Sequence, residues 1–233
     1  MKYFLLLLPF LIGCTASIHV PEMSGDPIQI TDVAGQAKAS FFQEAPSSFK
    51  ALLLAEISSG SQKQSLRYAV TKQENALQIE VFPTTSFYTL ILFKSDGTSF
   101  SLQNVSEGTS SEGALTDSTL QDTFGISLTV DELSAALFGE YKRLSPTVEV
   151  YSRKDILQIK SPKENDPQFY AELSPDLQTL KKVLFLDKDE DVRVSVTYEN
   201  FFENGHQPQK ITLGIPAFDT TVKLTVKKIS PQQ

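Results

Sequence analysis

Apolar and polar residues alternate with a period of two through most of this chain, the spacing of strands that bury one face. Val192, Val194, Val196 and Tyr198 interleave with Arg193, Ser195, Thr197 and Glu199, which predicts a strand with an apolar row on one side and a polar row on the other. Leu77, Ile79 and Val81 against Gln78 and Glu80 predict another, as do Leu66, Tyr68 and Val70, and Val222, Leu224 and Val226 against Lys223, Thr225 and Lys227. Segments 49–57, 88–93 and 180–186 are apolar on both faces, so a helix or a closing sheet is expected above them. Turn residues separate the runs: Gln73-Glu74-Asn75, Ser95-Asp96-Gly97, Ser152-Arg153-Lys154, Asp187 to Asp191 and Asn204-Gly205. The pattern predicts a mainly β protein with some α, an antiparallel meander of about ten or eleven strands.

In the middle of the chain the period becomes that of a helix. Thr129 and Glu132 make a capping box, Leu128 and Leu133 stand where a hydrophobic staple would, and Gly139 follows as a stop. Val130, Leu133 and Leu137 share one face with Phe138 beside it, so this helix is expected to cover a sheet. A shorter helical turn is expected over 117–124, where Leu120 and Phe124 are four apart and Gly125 follows. Segment 104–113, rich in Ser, Gly and Glu, reads as a mobile loop. Nearer the start, Asp32 would cap a short helix carrying Val33, Ala37 and Phe41, ended by Pro46.

A different pattern opens the chain. Lys2 precedes an apolar run from Tyr3 to Ile12, too short to span a bilayer, and Gly13 and Cys14 follow: the features of a secretory signal peptide. The tetrapeptide Leu11-Ile12-Gly13-Cys14 resembles the lipobox of bacterial lipoproteins, and the resemblance implies cleavage before Cys14 and lipid on its thiol. The alternative is a signal peptide with an incidental cysteine. Cys14 is the only cysteine, so it has no disulfide partner. Two or more acyl chains, at ~0.8 kcal/mol per buried methylene, would hold the protein durably at a membrane. The expected organisation is a signal peptide over 1–13, a lipidated tether over 14–31 with Pro21, Gly25 and Pro27, and one domain over 32–233. Thr15 in place of Asp after the cysteine favours, by similarity to enterobacterial sorting, the outer membrane on its periplasmic side.

Composition narrows the function. The chain has 21 basic and 28 acidic side chains; loss of Lys2 with the leader leaves 20 against 28, which argues against nucleic acid as a partner. Sixteen Phe and seven Tyr supply a core that does without disulfides. After the leader no apolar run approaches the ~20 residues of a membrane-spanning helix. Of the two histidines, His19 lies in the tether and His206 in the turn Asn204-Gly205-His206-Gln207-Pro208, where a solvated residue is a better reading than the base of a Ser/His/Asp arrangement. Zinc lacks ligands. Asp187-Lys188-Asp189-Glu190-Asp191 is oxygen-rich, but Val192 and Tyr198 stand where a calcium loop needs Gly and a carboxylate, so a charged hairpin turn is expected. No glycine-rich phosphate cradle occurs, and neither a cofactor nor an enzymatic activity is implied.

An anchored N-terminus, an early helix, antiparallel strands, a helical insertion and further strands occur in the order of the lipoprotein-localisation fold. Three stretches carry the resemblance: Phe49 to Phe82, with the opening strands; Gly125 to Arg143, similar to the lid region with its Leu-Phe-Gly step; and Phe185 to Ile215, similar to the late hairpin with an aromatic Tyr-x-x-Phe strand. That fold is shared by periplasmic lipoprotein carriers, their outer-membrane acceptor and related mycobacterial lipid-binding lipoproteins. It implies a curved sheet or incomplete β-barrel around a hydrophobic cavity, with a short helical lid.

By this resemblance the chain is a non-enzymatic, membrane-anchored protein that binds lipid acyl chains or lipoprotein in a cavity. Leu53, Tyr68, Ile79, Leu90, Val194 and Val196 are the candidate lining, and Leu133, Leu137 and Phe138 the candidate lid. The acceptor lipoprotein of the family projects an apolar side chain from a loop. Here Phe87 or Tyr88, after the third predicted strand, would take that part, against the plainer reading that Phe87 begins the fourth strand. The same apolar residues would also fill an ordinary closed core. In that case the chain is a structural or assembly lipoprotein touching an envelope complex.

Overall fold

Thirteen strands form one antiparallel sheet in the computed structural model, which describes residues 48–138, 141, 148–153, 156–162, 168–174, 179–202 and 208–231. The strands are β1 Ser48–Ser59, β2 Gln62–Gln73, β3 Ala76–Pro83, β4 Ile91–Ser95, β5 Ser99–Asn104, β6 Thr109–Ala114, β7 Glu149–Arg153, β8 Ile156–Lys160, β9 Gln168–Leu173, β10 Leu180–Leu186, β11 Val192–Phe201, β12 Pro208–Ile215 and β13 Thr220–Pro231. Two helices, α1 Thr119–Phe124 and α2 Val130–Phe138, separate β6 from β7. The signal peptide, Cys14, the tether, the helix expected over 32–46, Gly139 and the His206 turn lie outside the described residues.

The order across the sheet is β6-β5-β4-β3-β2-β1-β13-β12-β11-β10-β9-β8-β7. From β1 at the centre the chain meanders outward to β6, crosses through α1 and α2 to the opposite edge at β7, and meanders back until β13 pairs with β1. Among the described strands only the β6-to-β7 connection leaves the neighbour-to-neighbour path, and it carries α1 and α2. Among the described residues the two ends of the sheet are not paired to each other, so the barrel stays open.

Alternation sets the burial. In β1, Phe49, Ala51, Leu53 and Ala55 are buried while Lys50, Leu52 and Glu56 are exposed. Segment 49–57 is therefore one-sided, contrary to its apolar composition, because Leu52 lies exposed on the outer face. The inner rows of β1 to β4 and β7 to β13 join α1 and α2 in one apolar cluster. Rings add directional contacts: Phe93 meets Phe124 of α1 edge-on at 5.7 Å, and Tyr141 packs against Phe169 and Phe185 at 6.1 and 6.4 Å between centroids. Segment 180–186 does bury both faces, since Val183 and Phe185 point inward while Leu184 and Leu186 join Tyr170 and Val192 in a smaller outer cluster.

Four other expectations change. The strand count exceeds the expected ten or eleven, partly because 104–113 is a hairpin rather than a mobile loop: β5 and β6 pair from Ser99 opposite Ala114 to Asn104 opposite Thr109. β6 reads Thr-Ser-Ser-Glu-Gly-Ala and is exposed throughout, so no apolar alternation marks it. β4 starts at Ile91, leaving Phe87 and Tyr88 in the preceding loop. In β11 the register slips: Val194 faces Phe185, but Val192 faces Leu186, which leaves Arg193 as the extra residue of a β-bulge. Past the bulge Val192 lies on the outer face, and Arg193 reaches the helices instead of the polar row.

Candidate functional site

The inner face gathers the residues predicted to line a cavity. Leu53, Ile79, Leu90, Val194 and Val196 are buried in the same cluster as Leu133 and Leu137 of α2, and Tyr68 packs half-buried beside them. Phe138 closes α2 as its last residue. Strands from both halves of the meander supply these side chains. These side chains are buried, so any guest on this face has to displace what packs on them.

α2 is sunk more deeply than an amphipathic lid. All six residues from Glu132 to Leu137 are buried, including the polar Glu132 and Ser134, while Asp131 stays exposed. The expected single apolar face is therefore only part of what it buries. The capping box forms: Thr129 N–H donates to Glu132 Oε2 at 2.8 Å, and Glu132 N–H donates to Thr129 Oγ1 at 3.1 Å.

The second carboxylate oxygen of Glu132 accepts from Arg193 Nη2 at 2.5 Å; the carboxylate side chain is wholly buried and that of Arg193 is 29% exposed. Arg193 also donates from Nη1 to Ser127 O at 2.9 Å and from Nε to Leu186 O at 3.0 Å. One guanidinium thus ties the bulge of β11 to the residue before Leu128 and to the first turn of α2. Toward the other end of the helix, Tyr198 Oη donates to Ala136 O at 2.9 Å and shares a buried hydroxyl contact with Tyr141. Burial pushes the phenols of Tyr141 and Tyr198 well above the usual tyrosine range, and that of Tyr68 up to about 12. All three are neutral hydroxyls at physiological pH.

At the rim, the loop between β3 and β4 carries Phe87, 87% exposed, and Tyr88, 61% exposed. The loop is braced from β2: Arg67 donates from Nε to Pro83 O at 3.1 Å and from Nη2 to Ser86 O, and its Cζ lies 4.5 Å from the Phe87 ring centroid. The reading in which Phe87 merely begins the fourth strand is overturned by the start of β4 four residues later.

Other chemistry is sparse. Among the described residues no group of three His, Cys, Asp or Glu side chains is placed to hold a metal ion, and no helix is long and apolar enough to cross a membrane. Asp187 to Asp191 form the β10–β11 turn, where Asp187 Oδ1 accepts from the N–H groups of Asp189 and Asp191, both at 2.9 Å. Sequence reasoning missed Arg193 and the Tyr141–Tyr198 pair. The capping box marked Glu132, but period-two alternation assigned Arg193 to the solvent side, and nothing local pairs residues 57 positions apart.

The sequence matches no protein-family model and no curated protein. Its structure is similar to several solved ones. A LolA superfamily protein from Nitrosomonas europaea superposes with a TM-score of 0.55 at 12% identity, over 88% of this chain and 95% of that one. A DUF1329 family protein from Desulfovibrio piger gives 0.56 at 10% identity, over 86% and 91%. A domain from Vibrio parahaemolyticus described as an outer-membrane lipoprotein-sorting protein gives 0.53 at 13% identity, over 87% and 92%. The open sheet with its helical crossover is thus the fold of LolA-like proteins, reached at a sequence identity where only the fold is shared.

Proposed function

We propose that this chain binds the acyl chains of a lipid or lipoprotein on the inner face of its sheet, without catalysis, while held at a periplasmic membrane face by lipid on Cys14. The observation that carries the reading is the apolar inner face that β1 to β4 and β7 to β13 build in an open sheet, clustered with the helices of its crossover. Hydrocarbon moved from water onto such a face gains about 25 cal/mol per Å² without needing directed polar partners. The braced Phe87 loop suits contact with a bilayer interface, where an exposed aromatic ring gains by partial burial. The outer membrane is the proposed site of anchoring.

The test uses the full chain extracted from bacterial membranes. Palmitate labelling that disappears in Cys14→Ser supports the anchor, and co-purifying lipid in native mass spectrometry, or saturable uptake of a fluorescent fatty acid, supports binding. Leu137→Trp and Val194→Trp, checked for folding by circular dichroism, should lower uptake at least fivefold. Phe87→Trp would be the only tryptophan of the chain, and its emission should shift to the blue on anionic vesicles. Equal uptake by wild type and both tryptophan variants, or none by any, overturns the binding reading.

One observation favours a second reading, a structural or assembly lipoprotein of an envelope complex. Six consecutive buried residues in α2, and Val194 and Val196 at no exposure, describe a closed core. A folded chain that never takes up lipid, yet sediments with an envelope complex, would select it.

A further inference from the structure

β6 ends the sheet on one side. All six of its residues are exposed, and among the described residues nothing pairs with its outer edge. Leu115 N–H donates to Thr98 O at 2.8 Å, continuing an unbroken β5–β6 register, so alternation turns the N–H and C=O groups of Ser110, Glu112 and Ala114 outward. Edge strands are commonly blunted by Pro, Lys or a bulge, and this strand has none of them.

A recess of about 460 Å³ runs from β4 across β5 to this strand, lined by Lys94, Ser95, Phe100, Ser101, Glu112 and Gly113 among others. Gly113 is what opens it: a Cβ there would come within 3.2 Å of Phe100 Cε1, so the missing side chain leaves the ring accessible. On the outer edge Gly113 falls at a non-hydrogen-bonded position, where a facing strand brings its Cα closest. Lys94 is the one basic residue of the recess, against Asp96 and Glu112, and residues 95–117 carry Asp96, Glu107, Glu112 and Asp117 and no Lys or Arg.

We infer that β6 is a docking edge for an extended segment of another protein, one that carries basic side chains and an apolar side chain. The segment adds as a further strand through Ser110, Glu112 and Ala114, and seats its apolar side chain over Gly113 against Phe100. Backbone pairing supplies the affinity and the recess the choice of side chain. A second copy is a poorer occupant, since two antiparallel β6 strands would bring their acidic borders together. A lipid chain has no backbone groups to pair.

The probe is a fluorescein-labelled, amidated peptide Lys-Val-Lys-Phe-Lys-Val titrated into the full chain by anisotropy. Two versions N-methylated at alternate residues block one edge of the peptide or the other. Saturable binding is expected, with one N-methylated version retained and the other weakened at least tenfold, and with slowed amide exchange at Ser110, Glu112 and Ala114. Ser110→Pro, which removes an outward N–H while sparing the β5 ladder, should weaken binding about tenfold, and Gly113→Val about fivefold. Equal behaviour of both N-methylated versions, or unchanged exchange at those three amides, overturns the proposal whether or not the variants fold. Self-association of the chain that the peptide does not displace overturns it as well.

Discussion

Replacing Arg193 with Met is expected to unseat α2 at its N-terminal end. The guanidinium donates to Glu132, Ser127 O and Leu186 O, and the Glu132 side chain it neutralises has no exposure of its own. Deleting one partner of a buried pair costs about 3–5 kcal/mol, because the other charge is left without compensation. Arg193 is partly solvated, so the lower end applies, about 3 kcal/mol. Glu132→Gln keeps the shape but serves only one of its two partners well, a loss of about 1.5–3 kcal/mol.

In the double variant neither charge is stranded, so its loss should fall short of the two single losses combined by about 2 kcal/mol. Urea unfolding followed by far-ultraviolet circular dichroism measures all four proteins. A thermal midpoint falling by roughly 6–12 °C for Arg193→Met is the corresponding shift for a chain of this size. Arg193→Met within 1 kcal/mol of wild type, or strictly additive losses, would show that solvent already screens the pair and that apolar packing alone seats the helix.

Three further outcomes rest on other parts of the sheet. Tyr198→Phe removes the donor to Ala136 O and the buried partner of Tyr141, and should lower unfolding stability by about 1–3 kcal/mol; a loss below 0.5 would mean that water replaces the hydroxyl. Because burial raises the phenols of Tyr68, Tyr141 and Tyr198 in the fold, the unfolded chain loses its protons first. Stability should therefore be untouched by these groups below about pH 10 and fall by up to ~1.4 kcal/mol per pH unit for each as the pH rises from 10 through 12, so equal urea midpoints at pH 9 and 11 would refute it. At the Ser195–Gly214 pair, a Cβ on Gly214 would meet Ser195 Oγ at 2.6 Å, so Gly214→Val should destabilise by about 1–3 kcal/mol and Ser195→Gly should restore most of it; no rescue places the strain elsewhere.

What was legible in the sequence was whatever repeats locally. The alternation in 192–198 gave β11, and Thr129 with Glu132 gave the start of α2, because strand period and capping box each act within a few residues. β6 escaped because it buries nothing, and a strand without an inner face has no hydrophobic rhythm. The bulge at Arg193 was hidden because it depends on how β10 and β11 pair, and one extra residue moves a side chain to the other face. Tyr141 and Tyr198 meet across the fold, with nothing nearby in sequence to announce it. Alternation marks Ile79 and Val194 as members of an apolar row, whereas for Leu53, in a run apolar throughout, it does not choose a face, and the company of all three with Leu133 and Leu137 depends on the crossover that carries α2.

The pairing of β1 with β13 bears on how the chain reaches this state. Phe49 lies opposite Pro231 and Ser59 opposite Thr220, so the seam at the middle of the sheet joins the first described strand to the last. Every other neighbour in each half can pair as it emerges, but this seam has to wait for β13. Contacts so distant in sequence slow folding. Until β13 is made, β1 and β12 are two unpaired edges, each a template for the wrong partner. A chain shortened before Thr220 would hold two separate half-sheets with those edges permanently open, and aggregation of the truncated chain, with the full one soluble, is how the seam would reveal itself.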